Sequence, residues 1–202
     1  MDEKPSTRGE MRYKYILIVA IIFLIPLITG DISAKENKSN VQQKQELRKM
    51  RDKALRDLYW NHPKSKQAIA KAAGYGVFDL FGLHIFVAGT SKGKGIVVSN
   101  TTKKETFMKM RRIGAGPGMS VKDFRWIFAF ETKDALNNFI NNGWEMGADA
   151  SAVAKNRMKG GAFEGAISVA PGVWLYQLTE KGLSLEAVIS GTKFWKDDEL
   201  NR

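Results

Sequence analysis

The side chains that most often carry catalysis are few in this chain, and their spacing favours no reaction. Its 202 residues include two histidines, His62 and His84, and no cysteine. The absence of cysteine excludes disulfides and thiolate metal sites, and a zinc site on histidine would need further ligands at short spacing. His84 lies in an apolar run typical of a strand, where a structural histidine is the simpler interpretation. We therefore expect no enzyme activity, no metal and no cofactor.

A glycine–lysine run and two groups of carboxylates are the remaining candidates for chemistry. Gly89–Gly95 reads GTSKGKG, which lacks the P-loop spacing that lets backbone amides cradle a phosphate. Turn glycines and bulges in a curved sheet are the preferred interpretation. Glu145 and Asp149 lie four residues apart, and residues 197–199 are Asp-Asp-Glu. Acid–base chemistry needs pKa values split by environment, so we expect solvated surface or a turn at the end of a sheet, with a divalent-ion site as the alternative.

The charge of the chain is unevenly distributed. The formal net charge is +11. Residues 1–34 contain four basic and four acidic side chains, so the whole excess lies in residues 35–202. A basic domain favours anionic partners such as phospholipid surfaces, nucleic acid or acidic glycans. Because no nucleic-acid-binding motif is visible, no nucleic-acid partner is expected.

An apolar segment lies close to the N-terminus. Tyr15–Gly30 is uncharged, follows Arg12 and Lys14, and contains Pro26. It is shorter than the roughly 20 residues of a typical membrane-spanning helix and has the basic flank of a signal peptide. A cleaved signal ending near Ala34, an uncleaved N-terminal anchor and a buried core element all remain open. The first two place the domain outside the cytoplasm, most simply in the periplasm.

A basic amphipathic helix is predicted over residues 45–60, after a polar stretch at 35–45 that resembles a linker or a frayed helix start. Apolar residues recur at steps of three and four, whereas the other faces are rich in Lys and Arg. Tyr59 and Trp60 suit a membrane interface. The apolar stripe either enters a bilayer while the basic residues meet anionic headgroups, or packs on the domain's own sheet. Both interpretations stay open.

The rest of the chain alternates short strands with two helices. Pro63 predicts the start of a helix over 63–73, and Thr132 and Gly143 bracket another over 132–142. Residues 124–130 alternate aromatic and other side chains, which predicts a strand with one buried face. This order predicts an α+β fold with a mostly antiparallel, curved sheet, preceded by the amphipathic helix. The other predicted strands are 83–88, 95–99, 107–113, 148–153, 166–169, 173–179 and 183–190, with residues 89–94 forming a hairpin loop between the first two.

Five glycine-rich blocks in order carry a family resemblance. They are residues 70–78 (AKAAGYGVF), 89–95 (GTSKGKG), 114–118 (GAGPG), 147–150 (GADA) and 176–183 (YQLTEKGL). On these blocks, residues 68–202 resemble a SYLF domain. The resemblance implies lipid binding, associated in eukaryotic members with an amphipathic N-terminal helix and basic residues. It also implies actin binding in some members, but this chain has no SH3 module, and an exported domain would not meet actin or phosphoinositides.

These considerations predict three regions: a signal or anchor at 1–34, a linker and basic helix at 35–63, and a SYLF-like domain at 64–202. We expect a noncatalytic envelope protein that binds anionic phospholipid. The alternatives are an envelope structural or protein-interaction domain, or actin binding as in the eukaryotic relatives. A second basic surface is predicted from the 89–94 loop and the segment holding Lys103, Lys104, Lys109, Arg111 and Arg112. The expected lipid-binding residues are Arg48, Arg51, Lys53, Arg56, Trp60, Lys64, Lys66, Lys71, Lys92 and Lys94.

Overall fold

The computed structural model of the protein describes residues 26–79, 90–113, 125–146, 162–179, 182–184 and 191–202. It divides into two compact units, Met1–Gln43 and Lys44–Arg202. In the first unit the described residues, 26–43, are helical. The predicted strands at 83–88 and 148–153, most of the one at 183–190, and residues 15–25 of the apolar segment lie outside the described residues.

The described residues contain three helices: α1 (Pro26–Asn61), α2 (Pro63–Lys71) and α3 (Lys133–Asn142). Helix α1 begins before residue 35, so the stretch predicted as a linker or a frayed start is helical. Pro63 occupies the first turn of α2 as predicted, because a proline there loses no intrahelical hydrogen bond. Gly143 ends α3 with a φ of 68°, a backbone conformation that glycine adopts without steric cost.

The hydroxyl of Thr132 caps α3 by accepting a hydrogen bond from the backbone N–H of Ala135 at 3.1 Å. Removing such a cap leaves a helix-terminal donor unsatisfied. We expect Thr132→Ala to lower the free energy of unfolding by about 1 kcal/mol, measured by urea denaturation. Thr132→Ser, which keeps the hydroxyl, is the control, and an equal loss in both variants would contradict the capping role.

The strands form an antiparallel, curled sheet with α-helices packed on it, which confirms the predicted α+β class. The described strands are β1 (Gly74–Asp79), β2 (Thr90–Ser99), β3 (Glu105–Ile113), β4 (Arg125–Phe130), β5 (Trp144–Met146), β6 (Ile167–Ala170), β7 (Val173–Thr179), β8 (Gly182–Ser184) and β9 (Thr192–Lys196). Eight of them follow the order β5-β9-β3-β2-β1-β4-β7-β6, and β8 pairs with β7. Strands β1, β5 and β9 were not predicted.

Strand β4 has the strongly buried aromatic face that the sequence predicted, and its other face is buried as well, which was not predicted. Trp126, Phe128 and Phe130 join a core of aromatic and aliphatic side chains beneath α3. Ile127 and Ala129, on the other face, pack in a second core with residues of α1 and α2. The sequence pattern concealed this because an Ile and an Ala between aromatic residues resemble a weakly apolar solvent face.

The predicted hairpin loop at 89–94 was also wrong, because residues 90–94 belong to β2. A Cβ on Gly93 would lie 2.6 Å from the backbone oxygen of Asp79, and one on Gly95 would collide with the ring of Phe78. These glycines therefore allow close packing of neighbouring strands and side chains. The glycines do mark a special position in the fold, but it is close packing within a strand and not a turn.

Candidate functional site

The apolar stripe of α1 is packed into the fold. Leu47, Ala54 and Leu58 are at most 2% exposed. Ala54 and Leu58 lie in the core that contains Ile127 of β4, and Leu47 lies in a smaller core with Ile96 of β2. Burying such side chains contributes roughly 1.5–3 kcal/mol for each Leu. Of the two interpretations left open, packing on the sheet describes the position of this stripe.

Two of the predicted lipid-binding residues hold α1 against the sheet. The Arg48 Nε donates to Glu105 of β3 at 2.8 Å, and Arg51 donates to the other carboxylate oxygen at 2.7 Å. Burial raises the pKa of Glu105, but the hydrogen bonds and charges of Arg48 and Arg51 outweigh burial and hold that pKa below its usual value. Arg48 and Arg51 are therefore structural contacts, more than free cations for a headgroup.

The Glu105 carboxylate should make the free energy of unfolding depend on pH in the acidic range. Because its pKa is lower in the folded state, the stabilisation is present above the unfolded pKa, about 4.3, and is lost as the pH falls through the folded value. We expect Glu105→Gln to lower the urea midpoint at neutral pH and to match the parent once the carboxylate is protonated. Asp198→Asn, at an exposed position, is the control, and a pH-independent difference for Glu105→Gln would contradict the role of the charge.

Opposite the packed stripe, a second row of side chains faces away from the domain. Lys49, Lys53, Arg56 and Trp60 are exposed and follow one another at steps of four, three and four, which places them on one helical face. Trp60 is 87% exposed. Lys53 contacts Asp57 at 2.8 Å in an exposed pair, an arrangement worth about 0–1 kcal/mol. We call these four residues the outward stripe.

The outward stripe contains three of the predicted site residues, all exposed, and one residue that was not predicted. Lys53, Arg56 and Trp60 were predicted, whereas Lys49 was not among the expected site residues. The helical period alone would have found it, because Lys49 is four residues before Lys53. Within the described part of the chain, Lys49 and Arg56 make no recorded ion pair, so their charges face solvent.

The lysines of α2 are exposed beside the end of α1. Lys64 contacts Glu164 at 2.8 Å, with both side chains more than half exposed. Lys66 and Lys71 are exposed and have no recorded ion pair to any described residue. All three were predicted, and α2 begins three residues after Trp60 in the sequence.

The second predicted basic surface does not exist as one patch. Lys92 is exposed on β2, but Lys94 and Lys109 approach the carboxylate of Asp197, at 3.5 and 3.0 Å. Asp197 is fully buried, which corrects the expectation of a solvated carboxylate there. Arg112 is 8% exposed, and burial lowers its pKa. These basic residues therefore divide between solvent, an ion-pair network and the protein interior.

Sequence reasoning passed over one motif. Gly89-Thr-Ser-Lys-Gly93 has the letters G-x-S-x-G of a nucleophile elbow, which requires a serine on a sharp strand-to-helix turn. Ser91 instead lies within β2, opposite Arg112 of β3, and the strand continues to Ser99. The structural context of the motif is absent at this serine, and the expectation of no enzyme activity stays a prediction.

Comparison with known proteins gives one informative match. No family model matches the chain. Beta cell expansion factor A of Aeromonas veronii is 35% identical over 151 residues, which is 75% of this chain and 56% of that protein. The chain is similar to that factor over the aligned region. It spans a little over half of the factor's length.

Neither a metal site nor a membrane-spanning helix is found among the described residues. Among residues outside the gaps given above, no three His, Cys, Asp or Glu side chains are grouped so that they could hold a metal ion. In the same part of the chain, no helix has both the length and the apolar character needed to cross a bilayer. The predicted signal or anchor lies largely outside that part.

Proposed function

We propose that this chain is a noncatalytic lipid-binding protein of the bacterial cell envelope that contacts anionic phospholipid through the outward stripe and the lysines of α2. The observation that carries the proposal is the stripe itself. Three basic side chains and a tryptophan exposed at 87% share one face of α1, while the opposite face is packed. A basic row with an interfacial aromatic residue suits an anionic headgroup layer.

The packing of α1 favours adsorption of the folded domain over insertion of its apolar stripe. Inserting the stripe would expose Leu58 and its partners in the core, and would break the contacts of Arg48 and Arg51 with Glu105. Truncating one buried Leu to Ala already costs about 2–5 kcal/mol. Adsorption through the outward stripe needs none of these losses. The contact is therefore electrostatic at long range, with Trp60 entering the headgroup layer.

The SYLF resemblance supports the same proposal from an independent direction. The basic residues of α1 and α2 stand where that family's lipid-binding helix and basic positions are expected. The similar protein from Aeromonas veronii is named Beta cell expansion factor A. That name identifies no ligand, so the lipid assignment rests on the exposed charges and on the SYLF resemblance.

Co-sedimentation of the full chain with vesicles tests the proposal. Vesicles of phosphatidylcholine alone are compared with vesicles containing phosphatidylglycerol, across a salt series. We expect binding to anionic vesicles to exceed binding to neutral ones, and the excess to shrink as salt screens the charges. Equal binding to both would contradict the proposal. Weak binding to both at low salt would favour the alternative, an envelope protein-interaction domain.

A further inference from the structure

A groove of about 610 Å³ opens on the described part of the domain, and no residue of the outward stripe lines it. Its walls are α3, the turn between β2 and β3, and the residues at the end of β9. Ligand sites commonly have volumes of roughly 300–1,000 Å³. The groove is therefore large enough for a small polar molecule. None of its lining residues is among the ten expected lipid-binding residues, although Lys104 was predicted in the second basic surface.

Three lysines from three different elements line this groove: Lys104 from the turn, Lys133 from α3 and Lys196 from β9. Lys104 and Lys133 are exposed and make no recorded side-chain hydrogen bond to a described residue. Lys196 donates to the side-chain oxygen of Asn141 at 3.0 Å, which fixes its ammonium at the groove wall. An ammonium carries three donors, so Lys196 keeps capacity for a ligand.

The single carboxylate of the groove lining is already compensated. Glu105 lines the groove, but both of its oxygens accept hydrogen bonds from Arg48 and Arg51. This acid therefore does not pair with the lysines, and the charged side chains that line the groove keep a net positive formal charge. Hydroxyl and amide groups of Thr101 and Asn137 add neutral donors and acceptors, and Ile140 adds an apolar contact.

We propose that this groove binds a phosphate monoester carried on a small hydroxylated molecule. Three ammonium groups match the charge and the several oxygens of a phosphate. The neighbouring hydroxyl and amide groups suit alcohol groups on the same ligand. The phosphate has two possible sources, a phospholipid headgroup or a free phosphomonoester. This inference goes beyond the outward stripe and does not depend on it.

Isothermal titration of the full chain with glycerol 1-phosphate and, separately, with glycerol tests the proposal. We expect saturable binding of the phosphate ester at low salt and none of glycerol. The groove variant, Lys104→Gln with Lys133→Gln and Lys196→Gln, should bind at least tenfold more weakly. The matched control removes three exposed charges that lie off the groove, off α1 and off α2, namely Lys92, Arg111 and Lys193, each to Gln. It should bind almost as tightly as the parent. Circular dichroism checks that both variants are folded.

A second experiment distinguishes a phospholipid headgroup from a free phosphomonoester as the source of the phosphate. Vesicles containing phosphatidic acid are sedimented with the parent and with the groove variant, with and without glycerol 1-phosphate. Vesicle binding that falls in the groove variant and is competed by the ester assigns a lipid headgroup. Ester binding that depends on the groove, with unchanged vesicle binding, assigns a free phosphomonoester. No ester binding, or equal losses in the groove and control variants, overturns the proposal whether or not the outward stripe binds lipid.

Discussion

Phe194→Ala should lower the free energy of unfolding by about 3–5 kcal/mol. Phe194 is fully buried, and its ring lies 4.9 Å from that of Phe78 and 5.4 Å from that of Phe139, centroid to centroid. It therefore joins β9, β1 and α3 at one point. Truncation would leave a cavity between these aromatic rings, and the close-packed neighbours could not shift far enough to fill it. Urea denaturation measures the loss.

The adjacent Trp195 supplies the matched control. It lies on the same strand with its side chain 37% exposed, so Trp195→Ala removes a larger side chain from a less buried position. We expect it to cost less than half as much as Phe194→Ala. A cost for Trp195→Ala that equals or exceeds that for Phe194→Ala would show that the aromatic core is not the main support of β9.

Changing Lys49, Lys53 and Arg56 together to Gln should weaken binding to anionic vesicles by on the order of 100-fold. Each basic residue close to an anionic surface contributes about 1 kcal/mol, and three of them give about 3 kcal/mol. The variant should also lose much of the salt dependence, because fewer charges are left to screen. Co-sedimentation across the salt series measures both effects.

The control for the stripe variant removes the same charge from other surfaces. Lys103, Arg111 and Lys193 are exposed and lie off α1 and α2, and their change to Gln leaves the outward stripe intact. We expect a much smaller loss of vesicle binding, because only the overall positive charge of the domain is reduced. Arg48→Gln with Arg51→Gln should instead lower stability, because Glu105 loses its partners. Equal weakening by the stripe and control variants would move the lipid contact away from α1.

The predictable part of this fold was encoded locally. Pro63 and Thr132 marked helix starts because a proline or a capping hydroxyl acts within one turn. The apolar period of α1 indicated an amphipathic helix, and the antiparallel sheet followed from successive short strands. These features depend on neighbours within a few residues, which a single sequence displays directly.

The remainder depended on contacts between distant parts of the chain. Arg48 meets Glu105 across 57 positions, and no local pattern separates a tethering arginine from a free one. Asp197 looked like part of a solvated acidic tail, yet Lys94 and Lys109 surround it in the fold. The glycines of β2 signalled close approach, but which side chain would approach them could not be seen before Phe78 was placed.

Hydrogen exchange of the full chain, with and without phosphatidylglycerol vesicles, shows whether the folded domain adsorbs through the outward stripe. If the stripe lies on the lipid while α1 stays packed on the sheet, exchange should slow at the end of α1 and the start of α2, around Trp60. Exchange in β4 and β7 beneath α1 should not change. Faster exchange of β4 and β7 on vesicles would mean that α1 leaves the sheet to bind lipid, and would contradict adsorption of the folded domain.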